Sequence, residues 1–122
     1  MLITEVEFEL PKGYVDKDGV LHREGVMRLA TAADEILPLK DPRVQGNPSY
    51  LTIILLARVV TKLGELPDVN TRVVEGLFVE DLAFLQRLYA SINRVEESVV
   101  AEAGMGNGRG VAGTDKTGSA TP

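Results

Sequence analysis

The chain has 122 residues, enough for one packed domain. It contains no cysteine, which excludes disulfides, thiolate nucleophiles and sulfur-ligated metals and suits a reducing cytosol. A formal net charge of −5 disfavours nucleic acid and anionic membranes, both of which select clustered Lys and Arg. No signal peptide is expected, because Met1 to Glu7 has neither a basic start nor a long apolar run. The most apolar stretch, Leu51 to Ala57, is interrupted by Thr52 and closed by Arg58, far short of the roughly 20 residues that cross a bilayer.

In chain order, Val6, Phe8 and Leu10 alternate with Glu5, Glu7 and Glu9, the period-2 pattern of a half-buried strand. Pro11-Lys12-Gly13 ends it, and Tyr14-Val15-Asp16-Lys17-Asp18-Gly19 reads as a turn, with Asp18-Gly19 supplying the residues that tolerate positive φ. A second extended run, Val20 to Leu29, is expected to pair back as an antiparallel hairpin, with Arg23 and Arg28 facing the glutamate ladder. Such a hairpin is marginal alone, so helices must cover its apolar face.

Thr31 is placed as the N-cap of a short helix with Asp34 and Glu35 in its first turn, stopped by Pro38, and Asp41-Pro42 and Asn47-Pro48 mark an irregular loop after it. Asn47-Pro48 opens a longer helix expected to run to Leu63, where Gly64 and Pro67 end it. Asn70-Thr71 caps a single turn through Val74. The last strong helix starts near Val79, with Glu80 and Asp81 in its first turn, and continues through Asn93 or beyond. Its Leu85, Leu88, Ile92, Val95 and Val99 recur at alternating steps of three and four, a seam that packing against the Tyr50–Leu63 helix accounts for as well as a coiled coil does.

After Ala103 the periodicity disappears, and half of the chain's 12 glycines fall in that last stretch. A segment of this composition cannot bury enough surface to offset its ordering entropy. The reading is one α+β domain over residues 1–98, an N-terminal antiparallel β-hairpin followed by a mostly helical part (one short helix, then two longer apolar ones). A glycine-rich disordered tail over residues 99–122 completes the chain.

Motifs that resemble chemistry dissolve on inspection. His22, the single histidine, has no motif-fixed partner and is expected at an exposed strand position. Asp16-Lys17-Asp18-Gly19 has the start of a calcium loop, but its glycine comes two places early and Met27 stands where a bidentate Glu is needed. Glu5, Glu7 and Glu9 are expected to stay solvated, without the environments that split carboxylate pKa values. The glycines from Gly104 to Gly110 lack the strand and helix that would aim amides at a phosphate. The expectation is no catalytic residue, no metal and no cofactor.

The positive signal is apolar surface. Two helices this apolar exceed what one hairpin covers, so the surplus points to a partner groove or to self-association into a homo-oligomer. The candidate protein-binding residues, from periodicity, are Leu51, Ile54, Leu55, Leu85, Leu88 and Ile92.

The hairpin from Val6 to Gly19, followed by the junction Arg28-Leu29-Ala30-Thr31-Ala32-Ala33-Asp34, resembles the small tail assembly chaperones of contractile-tailed phages such as Mu, and their relatives in phage-like contractile injection systems. The likeness spans roughly residues 5–95. It implies a hairpin, a short helix and an apolar helix pair, in a protein of the bacterial host cytoplasm. Such a protein covers apolar helical stretches of a tape measure protein until tube subunits polymerise around them. The alternatives are a permanent adaptor of a contractile tail or baseplate, and an unrelated small protein-binding module.

Overall fold

The computed structural model of the chain describes residues 4–93. The expected boundary near residue 98 and the glycine-rich tail lie outside them. The alternating N-terminal run is strand β1 (Glu5–Val15), and its return is β2 (Leu21–Arg28), paired antiparallel from Glu5↔Arg28 to Val15↔Leu21. Phe8 and Leu10 are buried while Glu5, Glu7 and Glu9 are exposed, so the alternation does separate a core face from a solvent face. At the tip, Asp16 Oδ1 accepts from the amides of Asp18 and Val20, both at 2.9 Å, and Gly19 supplies φ 81°. The stretch with a calcium-loop start is thus a turn that uses its own carboxylate.

Thr31 caps α1 (Ala32–Ile36) as expected, and a 3-10 turn over Leu37–Lys40 follows. Asp41 caps α2 (Pro42–Gly46), and Asn47 caps a further 3-10 turn over Pro48–Tyr50 by accepting from the Ser49 amide. This turn leads directly into α3 (Leu51–Val59). The last two helices are α4 (Thr71–Glu75), capped by Asn70, and α5 (Val79–Asn93), which begins at the expected residue.

Three elements depart from expectation. β1 does not end at Pro11-Lys12-Gly13 but continues to Val15, with Tyr14 and Val15 paired to His22 and Leu21, because a bulge absorbs the break. The stretch expected as an irregular loop forms α2, since Asp41 caps it and Pro42 suits its first position. The third departure adds a strand. The helix opened by Asn47-Pro48 does not reach Leu63: it ends at Val59, and Val60–Leu63 form a third strand, β3. The amide of Val60 still reaches back to Leu56, but the backbone there turns to φ −83°, ψ 106°. β3 then pairs antiparallel with β2, with Gly25↔Leu63 and Val26↔Lys62 in register. The sheet order is β1-β2-β3. β-Branched Val60 and Thr61 lose little by leaving the helix, and the free edge of β2 offers hydrogen bonds that a continued helix would leave unmade.

Leu10, Met27, Leu56, Val59, Leu63 and Leu85 are the fully buried apolar residues, drawn from all three strands and from both longer helices. Burial of each contributes roughly 1.5–3 kcal/mol. α5 lies mainly on β1, with Phe84 tilted against Phe8 at 6.2 Å between ring centroids, whereas α3 packs mainly on α4. The two longer helices thus have different main neighbours but share one core.

Candidate interaction surface and its supports

Of the six candidate binding residues, Ile54 and Leu85 are buried, and Leu51, Leu55, Leu88 and Ile92 are half-buried. Leu88 and Ile92 lean on the central core, so much of that helical face is spent internally. α3 packs mainly on α4 and α5 mainly on β1, with a smaller contact between the two helices, so both helices border one core.

The largest apolar exposure lies elsewhere. Ile36, Leu37 and Leu39 are 57%, 50% and 50% exposed on consecutive turns at the end of α1. Val15 and Leu21 beside the hairpin tip are exposed too, as are Phe78 and the 82% exposed Val79 at the start of α5. Val15 and Leu21 are cross-strand partners, and Leu21 covers Gly13, whose amide is bound by Asp81 just inside the start of α5. Periodicity could not find these residues, because they fall in a short helix, a 3-10 turn and the terminal positions of β1, β2 and α5. A run of aliphatic residues beside Pro38, in Ile36-Leu37-Pro38-Leu39, was the available signal.

Three polar clusters fix the elements that carry this surface. The first is at the junction. Asp34, 1% exposed, receives both terminal nitrogens of Arg28 (2.7 and 3.0 Å), Nε of Arg58 (2.9 Å) and the amide of Thr31 (2.8 Å). The Arg28 guanidinium, aided by the Thr31 amide and Arg58, holds the Asp34 carboxyl well below the usual carboxylate range, against the opposing effect of burial. Arg28 also donates to the carbonyls of Leu29 and Arg58. Arg28 therefore does not face the glutamate ladder as its strand position implied, although it is the Cα partner of Glu5: a buried carboxylate outcompetes a solvated one. Nearby, Tyr89 donates to Glu35, and burial together with that carboxylate pushes the phenol above its usual range. The Asn93 side chain accepts from the Ala30 amide at 2.9 Å, tying the end of α5 to the same junction.

The second cluster repairs an irregularity in β1. The register shifts between Glu9↔Glu24 and Tyr14↔His22, so Leu10 to Gly13 stand opposite Arg23 alone. Backbone groups in such a bulge lose their ladder partners and need others. Arg23 Nε donates to the Leu10 carbonyl at 3.0 Å and a terminal nitrogen donates to that of Pro11 at 3.3 Å. Asp81, fully buried, accepts the amides of Lys12 and Gly13 at 2.8 and 2.9 Å. Asp81 was legible only as a first-turn acid; its role is to close the bulge. Arg23 also meets the glutamate ladder as expected, at Glu9, 3.6 Å away.

The third cluster corrects the reading of His22 as exposed: it is buried. Its ring bridges Asp16 at 2.8 Å and the Glu65 amide at 3.2 Å, and hydrogen bonding from His22 draws the Asp16 carboxyl below its ordinary range. The third strand places Glu65 there, which explains why sequence reading left His22 in solvent.

Glu7, Glu9, Glu24, Lys62 and Glu65 line an open groove on the sheet, together with Phe8 and Gly25. Among the described residues, no three His, Asp or Glu side chains gather as a metal-binding group, and no helix is long and apolar enough to cross a membrane. Comparison with protein-family models, curated proteins and solved structures gives no match to this chain.

Proposed function

We propose that the chain is a non-enzymatic tail assembly chaperone of a phage or phage-like contractile system, acting in the bacterial host cytoplasm by holding apolar helical segments of a tape measure protein. The observation that carries this reading is the exposed trio Ile36, Leu37 and Leu39, on a small acidic domain whose junction is locked by Asp34, Arg28 and Arg58. Exposed aliphatic side chains cost solubility and are retained where they meet a partner. A rigid support limits the entropy lost when that partner docks. Half-buried Leu51, Leu55, Leu88 and Ile92 offer further apolar contact, and self-association would use the same kind of surface.

The reading is supported by the resemblance of the hairpin and junction to tail assembly chaperones. Arg28, Thr31 and Asp34, which belong to that junction, are mutually bonded here. Co-expression with a helical tape measure protein tests it. The expected result is a soluble complex that is lost when Ile36 and Leu39 become lysine, with the chain missing from finished particles. A chain present in particles at fixed copy number would make it a structural adaptor. No complex with the unaltered chain would sink both readings in favour of an unrelated binding module.

A further inference from the structure

We propose that His22 is an acid-operated latch between the hairpin tip and the segment leaving β3. The ring is buried at 4% exposure, and both of its nitrogens are engaged. Nδ1 lies 3.2 Å from the Glu65 amide, which can only donate, so Nδ1 accepts and carries no proton. Nε2–H therefore donates to Asp16 Oδ2 at 2.8 Å, and the ring is the neutral Nε2–H tautomer.

Protonation then has one place to go, Nδ1, and that nitrogen faces an N–H. The imidazolium keeps Asp16, now as an ion pair, but Nδ1–H and the Glu65 amide are two donors on one line and must separate. The ring cannot yield, because β2 fixes its backbone and Gly64 lies directly against it, too close for a side chain there. Gly64 is also held, its amide donating to the Glu24 carbonyl at 2.7 Å. The motion therefore falls on Glu65 and the residues after it, pivoting at Gly64, whose φ of 55° marks the change of direction.

The titratable and charged groups around the ring are Tyr14 and Asp16 from β1 and its turn, Glu65 after β3, and Arg23 and Glu24 on β2 itself. Only Asp16 among these places a charged atom on an imidazole nitrogen. Gly64 and Glu65 also line the groove beside Glu7, Glu9 and Glu24, so release of Glu65 opens one wall of that groove. The latch is independent of whether the chain is a chaperone.

The single histidine makes the test clean, since its ring resonances are unambiguous. Nitrogen-15 spectra of the unaltered chain at neutral pH are expected to show Nε2–H and a bare Nδ1. As the ring titrates, protection of the Glu65 amide against hydrogen exchange, corrected for the intrinsic pH dependence, is expected to fall about tenfold relative to Gly64. The amides of Asp18 and Val20 should keep theirs. An Nδ1–H tautomer, an unchanged Glu65 to Gly64 ratio, or joint loss at all four amides would each overturn the latch. In His22→Gln the ratio should no longer depend on pH; a ratio that still changes would assign the effect to a carboxylate and overturn the proposal. The wild-type titration decides alone if that variant does not fold.

Discussion

Asp34 and Asp81 look alike in sequence, each an acid in the first turn of a helix, and both are buried to 1% or less. Their partners differ. Asp34 is met by two guanidinium groups at the open end of the hairpin, whereas Asp81 is met by two backbone amides at the bulge near the tip. The side chains of Arg28 and Arg58 are 33% and 36% exposed, so they can turn to water when their carboxylate is lost. The Gly13 amide is buried and cannot. The cost of losing each acid is thus set by what its partners can do afterwards, more than by formal charge.

Removing Asp81 should therefore be the worse injury. Asp81→Ala strands the buried Gly13 donor and deprives the part-buried Lys12 amide of its acceptor, at roughly 1–3 kcal/mol each, and is expected to cost about 3 kcal/mol in urea unfolding. Asp81→Asn leaves one carbonyl acceptor and should recover about half of that loss. Equal losses in the two variants would mean that the bulge opens to water when disturbed.

Asp34→Asn should cost less, about 2 kcal/mol, because Arg28 and Arg58 can resolvate and an amide oxygen still accepts from one of them. It should also change the pH profile. The folded state holds the Asp34 carboxyl below its unfolded value near 4, so its contribution is complete above that value and is lost as pH falls toward the depressed folded one. Stability of the unaltered chain, measured by denaturant titration, should fall below about pH 4 more steeply than that of Asp34→Asn. Parallel curves would remove Asp34 from the acid response and leave Asp16 and Asp41, whose carboxyls shift in the same direction, to carry it.

The contrast between the two acids could not be read from the sequence, and the reason is physical. The hairpin, its turn, the cap at Thr31 and the start of α5 were legible because each depends on residues within a few positions. The third strand was not. Val59-Val60-Thr61-Lys62-Leu63 suits a helix or a strand, and the choice is made by the free edge of β2, more than 30 positions away for the Val26↔Lys62 pair. His22 and Asp81 inherit the same difficulty, because their partners arrive through tertiary contact at Glu65 and at Lys12 and Gly13. One local clue to Asp81 existed: Pro11-Lys12-Gly13 breaks the alternation of β1, and a broken strand needs acceptors from somewhere. Periodicity put the six candidate surface residues on helices but could not say which side of each helix is already spent, and Ile54 and Leu85 lie inside.

Arg23 tests the bulge from its carbonyl side. Arg23→Ala frees the carbonyls of Leu10 and Pro11, and the latter bond is exposed, so water can substitute. A loss of about 1 kcal/mol is expected. A loss as large as that of Asp81→Ala would show that the guanidinium, and not the carboxylate, fixes the bulge.

The smallest effect on stability should come from the surface that the proposed function uses most. Ile36 and Leu39 are half exposed or more, and neither belongs to the main apolar cluster. Replacing both by lysine moves charge into water and removes little packing, so the change should stay within about 0.5 kcal/mol per site. Lysine near the end of α1 also suits the partial negative charge of a helix C-terminus, which offsets part of any loss. An unchanged urea midpoint with reduced dye binding and reduced self-association would mark Ile36 and Leu39 as contact surface in a fold held elsewhere. A loss above 2 kcal/mol would mean instead that these side chains are packed in solution, which would move the search for a docking site to Val15 and Leu21 beside the hairpin tip and to Phe78 and Val79 at the start of α5.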